Sequence, residues 1–331
     1  MCVPLLHVRP DRAEGDTGAL ESAVAGPAGR QDRRRRGHAV EVAVIPVAQH
    51  NNPTGGTELP KELFGYEVVE RIGEGAASTI YAVTDRKTHQ LYALKHVLRK
   101  TEKDIRYIEQ VENEYTVSKQ FRHPGLRRSF DFKTVRKGFF GPLSEAALVM
   151  EMVHGFPINE SPPGDIPAVI DCFMQTATAL QSMHTLKLVH CDLKPNNIMR
   201  EAGSGKVKVI DFGQACPIGT EKPRVQGTPD FIAPEQVRLK PVSVRTDVYN
   251  FGATLYWALT GQRVPTLYTI EKVDRHILKE QHYPAPIAVN PQVPERLSRM
   301  VMECLRYRPA ERPGDMQEVL DVLEITRDSP R

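Results

Sequence analysis

The chain has 331 residues, of which 40% are hydrophobic and 26% are charged, and its formal net charge is only +3. The composition is that of a soluble globular protein, and the small net charge argues against a general nucleic-acid binder. No apolar run reaches the length of a membrane span, and the first residues lack the pattern of a secretory signal. We therefore expect no nucleic-acid partner and no membrane span.

The cysteines give no sign of a metal site or of a disulfide framework. Their number is odd and none of them forms a Cys-x-x-Cys pair. We therefore expect reduced thiols and a cytoplasmic location. The five cysteines are Cys2, Cys172, Cys191, Cys216 and Cys304.

Residues 1–60 are rich in Gly, Ala, Pro and Arg, with an unbroken run of arginines at 33–36. This composition predicts a disordered, basic N-terminal tail rather than a domain. A second interpretation is that the arginine run makes weak electrostatic contacts with acidic partners or lipid headgroups. A misassigned translation start is a third interpretation of this segment.

Regular structure is predicted to begin near Tyr66. Residue patterns predict strands over 66–72, 78–83 and 91–97, and a helix over 104–121 that ends at His123-Pro124-Gly125. Residues 126–153 are predicted to form two more strands, joined by a basic loop that contains Lys133, Arg136 and Lys137.

The second half of the chain is predicted to be mostly helical. Apolar residues recur at helical spacing over 166–187, 246–260, 294–307 and 314–326. Strands in the first half and helices in the second predict an α+β fold rather than alternating β–α–β units.

The residues that are most informative about chemistry lie between 190 and 211. Lys194 and Asn197 follow Asp192 at spacings of two and five residues, and Asp211 comes after the next predicted strand. Such a set suits metal-assisted phosphoryl transfer. Asp192 can orient a hydroxyl and take its proton, Lys194 can hold a phosphate oxygen, and Asn197 and Asp211 can hold Mg²⁺. A turn or capping role is the alternative for any single Asp, but it does not explain the four residues together.

With these residues, and with Asp-Phe-Gly at 211–213, the chain resembles the eukaryotic-like, Hanks-type serine/threonine protein kinases. The resemblance covers residues 66–325 and implies a two-lobed α+β fold. A small antiparallel sheet with one helix is expected at about 66–153, and a larger, mostly helical lobe at about 154–325. The resemblance further implies transfer of the γ-phosphoryl group of ATP, with Mg²⁺, to Ser or Thr hydroxyls of protein substrates.

The resemblance also implies an ATP site. Gly73 and Gly75 stand in a glycine-rich turn, and Ser78 replaces the third glycine of the family pattern. An ordinary hairpin is the alternative interpretation of this turn, whereas a dinucleotide-binding fold would need a helix after it. Other residues are expected around the adenine and phosphates, with Met150 as the gatekeeper and Met199 as part of the floor. These residues are Ile72, Ile80, Ala93, Met150, Glu151, Val153 and Met199.

Lys95 lies in an apolar strand, and taken alone it is most simply a surface side chain. The resemblance implies instead that Lys95 pairs with Glu114 and contacts the α- and β-phosphates. Glu112 is the competing partner, but it lies about half a turn away on the predicted helix.

Several positions depart from the family pattern. Ser118 stands where a bulky apolar side chain usually packs toward Phe212, which predicts a less stable active arrangement. Cys191 replaces the arginine that clamps a phosphate on the activation segment, and Arg224 stands where the phosphorylated threonine often lies. We therefore predict that phosphorylation of this segment is not the on-switch, although Thr220 remains as an acceptor. A neutral buried thiol is the favoured interpretation of Cys191, and oxidation is the alternative.

Further residues are expected to support the site. Thr228, in a Gly-Thr-Pro sequence that resembles a substrate-docking loop, is expected to bond to Asp192 or Lys194. Glu235 is expected to pair with Arg312. Structural roles are also expected for His190 and Asp247, the latter as an anchor of the catalytic-loop backbone.

Two rival functions remain. One is a catalytically idle pseudokinase that serves as a binding scaffold, although Lys95, Asp192 and Asp211 are all present. The other is a small-molecule phosphotransferase of related fold. The Gly-Thr-Pro sequence at 227–229 and the Ala-Pro-Glu sequence at 233–235 argue against it.

Overall fold

The computed structural model describes residues 59–75, 77–138, 141–265 and 283–329. The predicted tail at 1–60, including the arginine run at 33–36, lies outside these residues except for its last two positions. None of the helices in the described ranges is long and apolar enough to cross a membrane.

A six-stranded antiparallel sheet forms the smaller lobe, in the order β1-β2-β3-β4-β6-β5. Strand β2 alternates between more buried and more exposed positions, as expected for a strand with one face on a core, whereas β6 is almost continuously buried. Each predicted strand of this region is present. The six strands are β1 (Glu62–Leu63), β2 (Tyr66–Glu74), β3 (Ser78–Asp85), β4 (Leu91–Leu98), β5 (Ser129–Arg136) and β6 (Leu143–Glu151).

The prediction of a basic loop between the last two strands was wrong for two of its three residues. Lys133 and Arg136 lie within β5, opposite Ala147 and Leu143 of β6. Their charged ends can reach solvent while the backbone stays in the ladder, so charge alone did not mark a loop. Lys137 follows the strand.

One helix, α1 (Ile105–Ser118), packs against this sheet. It buries Ile108 and Val111 in the cluster under the sheet, while Val117, on the opposite side of the helix, packs in the core of the larger lobe. The helix ends three residues earlier than predicted, because the backbone tightens after it. There the N–H of Phe121 donates to the carbonyl of Ser118 at 3.1 Å.

The larger lobe is mostly helical, as predicted. Asp165 caps the start of its first long helix by accepting a hydrogen bond from the backbone N–H of Ala168. Ser243 caps the start of the second, which ends before Gly261, where φ is +69°. The helices are α2 (Ile166–Thr185), α3 (Pro234–Val237), α4 (Val244–Thr260), α5 (Pro286–Val289), α6 (Glu295–Cys304) and α7 (Met316–Asp328).

Helices α4 and α6 pack unusually closely. A Cβ atom built on Gly252 would lie 2.5 Å from the Cβ atom of Cys304, so only glycine fits at this crossing. The same core buries Phe173, Phe251 and Leu297. This packed helical core carries the loops that hold the candidate site.

One short strand before α2 and four between α2 and α3 set the positions of two loops. Strands β7 (Gly155–Pro157), β9 (Ile198–Glu201) and β10 (Val207–Val209) form one small sheet. Strand β8 (Leu188–Val189) pairs with β11 (Cys216–Pro217). Residues 190–197 and 211–215 are thereby brought side by side.

Candidate active site

The loop that follows β8 is anchored from the helical core by Asp247 of α4. The carboxylate accepts hydrogen bonds from the backbone N–H groups of His190 at 2.8 Å and Cys191 at 2.9 Å, and it contacts His184 Nε2 at 2.8 Å. Burial alone would raise the pKa of Asp247, but these partners outweigh it and hold the pKa below its ordinary value. The anchor fixes the backbone immediately before Asp192.

Three side chains form a closed triangle at the end of this loop. The Thr228 hydroxyl donates to Asp192 Oδ1 at 2.9 Å, while Lys194 Nζ donates to Asp192 Oδ2 at 3.1 Å and to Thr228 Oγ1 at 2.7 Å. The contact predicted for Thr228 is therefore made with both Asp192 and Lys194. The arrangement presents a carboxylate, an ammonium and a hydroxyl at one point.

Asn197 lies on the short 3₁₀ turn that follows the triangle. Its Nδ2 donates to the backbone carbonyl of Asp192 at 2.8 Å, so its side-chain oxygen is the atom that suits a metal. The backbone N–H of Ile210 donates to the Asn197 carbonyl at 2.9 Å. This bond brings Asn197 and Asp211, the two predicted metal ligands, onto adjacent chain segments.

Lys95 of β4 lies between two carboxylates. Its Nζ atom is 2.8 Å from Glu114 Oε2 and 3.1 Å from Asp211 Oδ1. The predicted ion pair with Glu114 is therefore present, whereas Glu112 is exposed to solvent. The ammonium links the sheet, helix α1 and the segment that begins at Asp211.

The charges around Lys95 support one another. Burial lowers the pKa of Lys95, but the negative charges of Asp211 and Glu114 raise it by more than burial lowers it. The pKa of Lys95 therefore lies well above its ordinary value. Burial would likewise raise the pKa of Asp211, but the Lys95 ammonium holds it well below the usual range. The structure therefore favours a charged ammonium beside an ionised carboxylate.

A second cation contacts Glu114 and was missed from the sequence. Arg127 Nη2 lies 3.1 Å from Glu114 Oε1, and both side chains are buried. The only sign in the sequence is a pair of arginines just before a strand. Such pairs are also common on protein surfaces, so this one did not predict a buried ion pair. The neighbouring Arg128 does have an exposed side chain, at 63% of its full area.

A side chain of α1 also contacts the segment after Asp211, and it too was missed. Asn113 Nδ2 lies 2.9 Å from the carbonyl oxygen of Ala215, and 3.4 and 3.3 Å from those of Phe212 and Gly213. An asparagine at a half-buried position of a helix has no sequence pattern that predicts such a contact. It ties the helix that carries Glu114 to the backbone beyond Asp211.

The sequence predicted weak packing against Phe212, because Ser118 stands where a bulky side chain usually lies. In the structure Phe121 packs against Phe212 instead. The ring of Phe212 makes an edge contact with Phe121, with 4.7 Å between centroids, and a second edge contact with His190 at 5.5 Å. Ser118 is buried and donates to the carbonyl of Tyr115. Phe121 thus fills the position beside Phe212 because the chain turns back after α1.

The glycine-rich turn joins β2 to β3 and is closed by a hydrogen bond from Gly75 N to the Ser78 carbonyl at 2.7 Å. A Cβ atom on Gly75 would lie 2.9 Å from Ser78 Oγ, so the tight turn favours glycine there. Gly73 pairs with Ile80 in the ladder. Ala76 lies outside the described residues.

Four residues predicted for the adenine site belong to one apolar cluster. Ala93 and Met150 are buried opposite each other on β4 and β6, and Ile72 and Ile80 pack against the same cluster. The structure thus brings residues that are up to 78 positions apart (72 to 150) into one place. A core role and a pocket role are both compatible with this packing.

The remaining predicted pocket residues lie where the two lobes join. Glu151 ends β6 and its side chain bonds to Lys208 at 2.7 Å. Val153 is buried two residues later, and Met199 is partly buried on β9. These three positions connect the sheet to the small strands beneath it.

The expected structural bridge is also present. Arg312 makes two hydrogen bonds to Glu235, from Nη1 to Oε1 at 2.8 Å and from Nη2 to Oε2 at 2.9 Å. Thr246 donates to the same carboxylate at 2.9 Å. This buried network fixes the segment after Thr228 to the helical core.

Comparison with known proteins agrees with this geometry. The protein kinase domain family matches residues 66–322. A probable serine/threonine-protein kinase of Corynebacterium efficiens is 29% identical over 276 residues, which are 78% of this chain and 41% of that protein. The serine/threonine-protein kinase PknA of Mycobacterium tuberculosis is 29% identical over 277 residues, which are 80% of this chain and 63% of PknA.

A third relative, a probable serine/threonine-protein kinase of Clostridium acetobutylicum, is 27% identical over 272 residues. The match covers 80% of this chain and 40% of that protein. The chain therefore spans about two fifths to three fifths of the length of these curated relatives.

Proposed function

This chain belongs to the protein kinase family, and on that premise we propose that it transfers the γ-phosphoryl group of ATP to Ser or Thr hydroxyls of proteins. The observation that carries the proposal is the triangle of Asp192, Lys194 and Thr228. It supplies a carboxylate for an incoming hydroxyl, a cation for the transferred phosphate and a side chain that orients both.

In the proposed reaction Asp192 orients the substrate hydroxyl and accepts its proton as the oxygen attacks. Lys194 is close enough to neutralise charge on the transferred phosphoryl group, since it already contacts Asp192 and Thr228. Thr228 restrains the Asp192 carboxylate through the bond to Oδ1. Most of the rate gain in such a transfer comes from positioning and charge rather than covalent chemistry.

ATP and Mg²⁺ are the proposed cofactors. Lys95, held by Glu114, would contact the α- and β-phosphates, and Asn197 and Asp211 would hold Mg²⁺. The donor set fits this metal because both ligands offer hard oxygen atoms and the Asp211 carboxylate is favoured in its ionised form. Bound Mg²⁺ neutralises phosphate charge, and two protein ligands are few enough that it binds together with the nucleotide.

The proposed adenine site lies beside Met150, at the junction of the lobes. Ile72 and Ile80 would cover the base from the sheet, and Met199 would support it from below. The backbones of Glu151 and Val153 would meet its polar edge. The turn at Gly73 and Gly75, with Ser78, would approach the phosphates through backbone N–H groups.

Protein substrates follow from the same proposal. A cytoplasmic location, the absence of nucleic-acid partners and weak contacts of the basic tail all stay predictions. Any contact through the arginines at 33–36 would weaken as salt is added, because exposed charges are screened over about 8–10 Å at physiological ionic strength.

The test is transfer of labelled γ-phosphate from Mg·ATP to generic protein acceptors, followed by phosphoamino acid analysis. We expect label on Ser or Thr, lost in Asp192→Asn and Asp211→Asn and retained in the exposed control Glu112→Gln. ATP binding without transfer to any acceptor would favour the scaffold. Transfer to small molecules but never to protein would favour the rival phosphotransferase.

A further inference from the structure

Two cysteine thiols lie in contact behind the candidate catalytic residues. The Sγ atoms of Cys191 and Cys216 are 3.8 Å apart, and both cysteines are free. Within the described ranges this is the one contact between two thiols. Neither cysteine has a part in the proposed transfer, although Cys191 immediately precedes Asp192 in the chain.

The fold holds the two thiols together from different segments. Cys216 lies on β11, opposite Val189 of β8, and Cys191 follows two residues after Val189. The backbone of Cys191 is fixed on both sides, by Asp247 at its N–H and by Gln236 Nε2 at its carbonyl, at 2.9 and 2.7 Å. The contact is therefore built into the framework of the site.

The two sulfur atoms are not equivalent. The hydrogen bond from Cys191 lowers the pKa of Cys216 to about 7 although burial opposes this, and Lys222 contributes in the same direction. The same hydrogen bond and burial raise the pKa of Cys191 well above its ordinary value. Cys216 is also the more exposed, at 8% against 1%. Cys216 therefore suits the attacking thiolate, and Cys191 the thiol that resolves the product.

We propose that Cys191 and Cys216 form a reversible intrachain disulfide on exposure to hydrogen peroxide, and that this disulfide lowers phosphoryl transfer. The Cys216 thiolate attacks one oxygen of hydrogen peroxide and the O–O bond breaks; the hydroxide that leaves takes up the proton that the Cys216 thiol had released, so a sulfenic acid and one water are formed. The Cys191 sulfur then attacks the sulfenic sulfur, the S–O bond breaks and a second water leaves. Two thiols lose two electrons in total, and the peroxide gains them.

The effect on transfer rests on the proposed function. A disulfide has an S–S length of about 2.05 Å, so the sulfur atoms must approach by almost 2 Å. We infer that rotation of the two side chains supplies only part of this approach and that the rest moves the loop that carries Asp192 or the segment that leads to Thr228. A displacement of about 1 Å at a reacting group can cost on the order of a hundredfold in rate.

The disulfide can be mapped directly. Trypsin cleaves after Lys and Arg unless Pro follows, so it releases Cys191 in peptide 188–200 and Cys216 in peptide 209–224. After treatment of the full chain with hydrogen peroxide and alkylation, we expect mass spectrometry to detect these two peptides linked. The link should disappear with dithiothreitol, and it should be absent from Cys216→Ser and Cys216→Ala.

Activity is measured on the same samples. We expect peroxide to reduce kcat by at least about tenfold, with recovery in dithiothreitol. Cys216→Ser and Cys216→Ala should keep their activity in peroxide. Two different substitutions are used because either one alone could disturb folding. Cys172→Ser is the matched control, since Cys172 is a buried free cysteine on α2, and it should respond like the wild type.

Three results would overturn the proposal. One is the absence of the linked peptides at peroxide levels that oxidise other groups in the chain. The second is a linked pair without loss of activity, and the third is an equal loss of activity in the Cys216 variants. The mapping needs no catalysis, so a chain that is inactive when reduced would contradict the proposed function and leave the disulfide to be decided by mass spectrometry.

Discussion

Arg127 donates to Glu114 Oε1 at 3.1 Å, while Lys95 occupies the other oxygen of the same carboxylate at 2.8 Å. The backbone of Arg127 is tied to β10, because its N–H donates to the Val209 carbonyl at 3.1 Å. Arg127 thus links helix α1 to a strand that ends two residues before Asp211. We infer that it positions Glu114 for Lys95.

Replacement of Arg127 by Met should therefore lower both stability and activity. The substitution leaves one buried carboxylate oxygen without its donor, which costs about 1–3 kcal/mol in the free energy of unfolding. We expect kcat/KM for ATP to fall roughly tenfold, equivalent to about 1.4 kcal/mol. Urea unfolding and steady-state kinetics measure the two effects.

The controls separate positioning from packing. Arg127→Lys should restore part of kcat/KM, and Arg136→Met, which changes an exposed arginine on β5, should change neither quantity. Loss of stability with unchanged ATP kinetics would mean that Arg127 only supports the fold.

Asn113→Ala should weaken the hold of α1 on the segment after Asp211. The variant removes the donor that lies 2.9 Å from the Ala215 carbonyl, at a cost of about 0.5–1.5 kcal/mol in stability. Because the segment also carries Asp211 and Phe212, we expect kcat to fall several-fold. Glu112→Ala, one position earlier and exposed, is the control. Equal kinetics in the two variants would contradict this role.

Activity should not depend on phosphorylation of the segment around Thr220. Its hydroxyl is already engaged with the Pro217 carbonyl at 2.7 Å, Lys222 donates to the carbonyl of Gln214, and Arg224 is exposed. With Cys191 in the loop, this region lacks the usual clamp for a phosphate. We expect phosphatase-treated protein and Thr220→Val to keep the activity of untreated protein. A many-fold rise on phosphorylation would refute the prediction.

Stability should decrease in acid partly through Asp247. Its pKa is below the ordinary value of 3.8 in the folded protein, so the unfolded chain binds this proton more readily. The stabilisation is complete above the ordinary pKa and is lost as the pH falls through 3.8 toward the lower folded value. Asp247→Asn should therefore flatten the dependence of unfolding free energy on pH in that window.

The same variant should lower stability at neutral pH, by about 1.5–3 kcal/mol, because buried hydrogen bonds to a charged group are weakened. Urea unfolding at several pH values measures both effects. Asp171→Asn, at an exposed position on α2, should behave like the wild type. An unchanged pH profile in Asp247→Asn would show that other carboxylates account for the acid loss.

The sequence predicted best what depends on local spacing. The long helices and most strand positions follow from residue types at fixed distances along the chain, whereas the contacts of Asp192 and Lys95 were expected from the resemblance to the kinase family. Arg127, Asn113 and Phe121 were missed as parts of the site because their partners are set by how separate segments meet. Phe121 contacts Phe212 because the chain makes a short turn after Ser118. The spacing of apolar residues does not predict such a turn.

The bridge between Glu235 and Arg312 has a consequence for the order of events during synthesis. Its partners are 77 residues apart, so the Glu235 carboxylate cannot be paired until the segment with Arg312 has left the ribosome. Until then the stretch that follows Thr228 lacks its buried cation. A nascent chain can complete its sheet early, but the stretch after Thr228 is held to the helical core only once α6 and the segment with Arg312 have emerged.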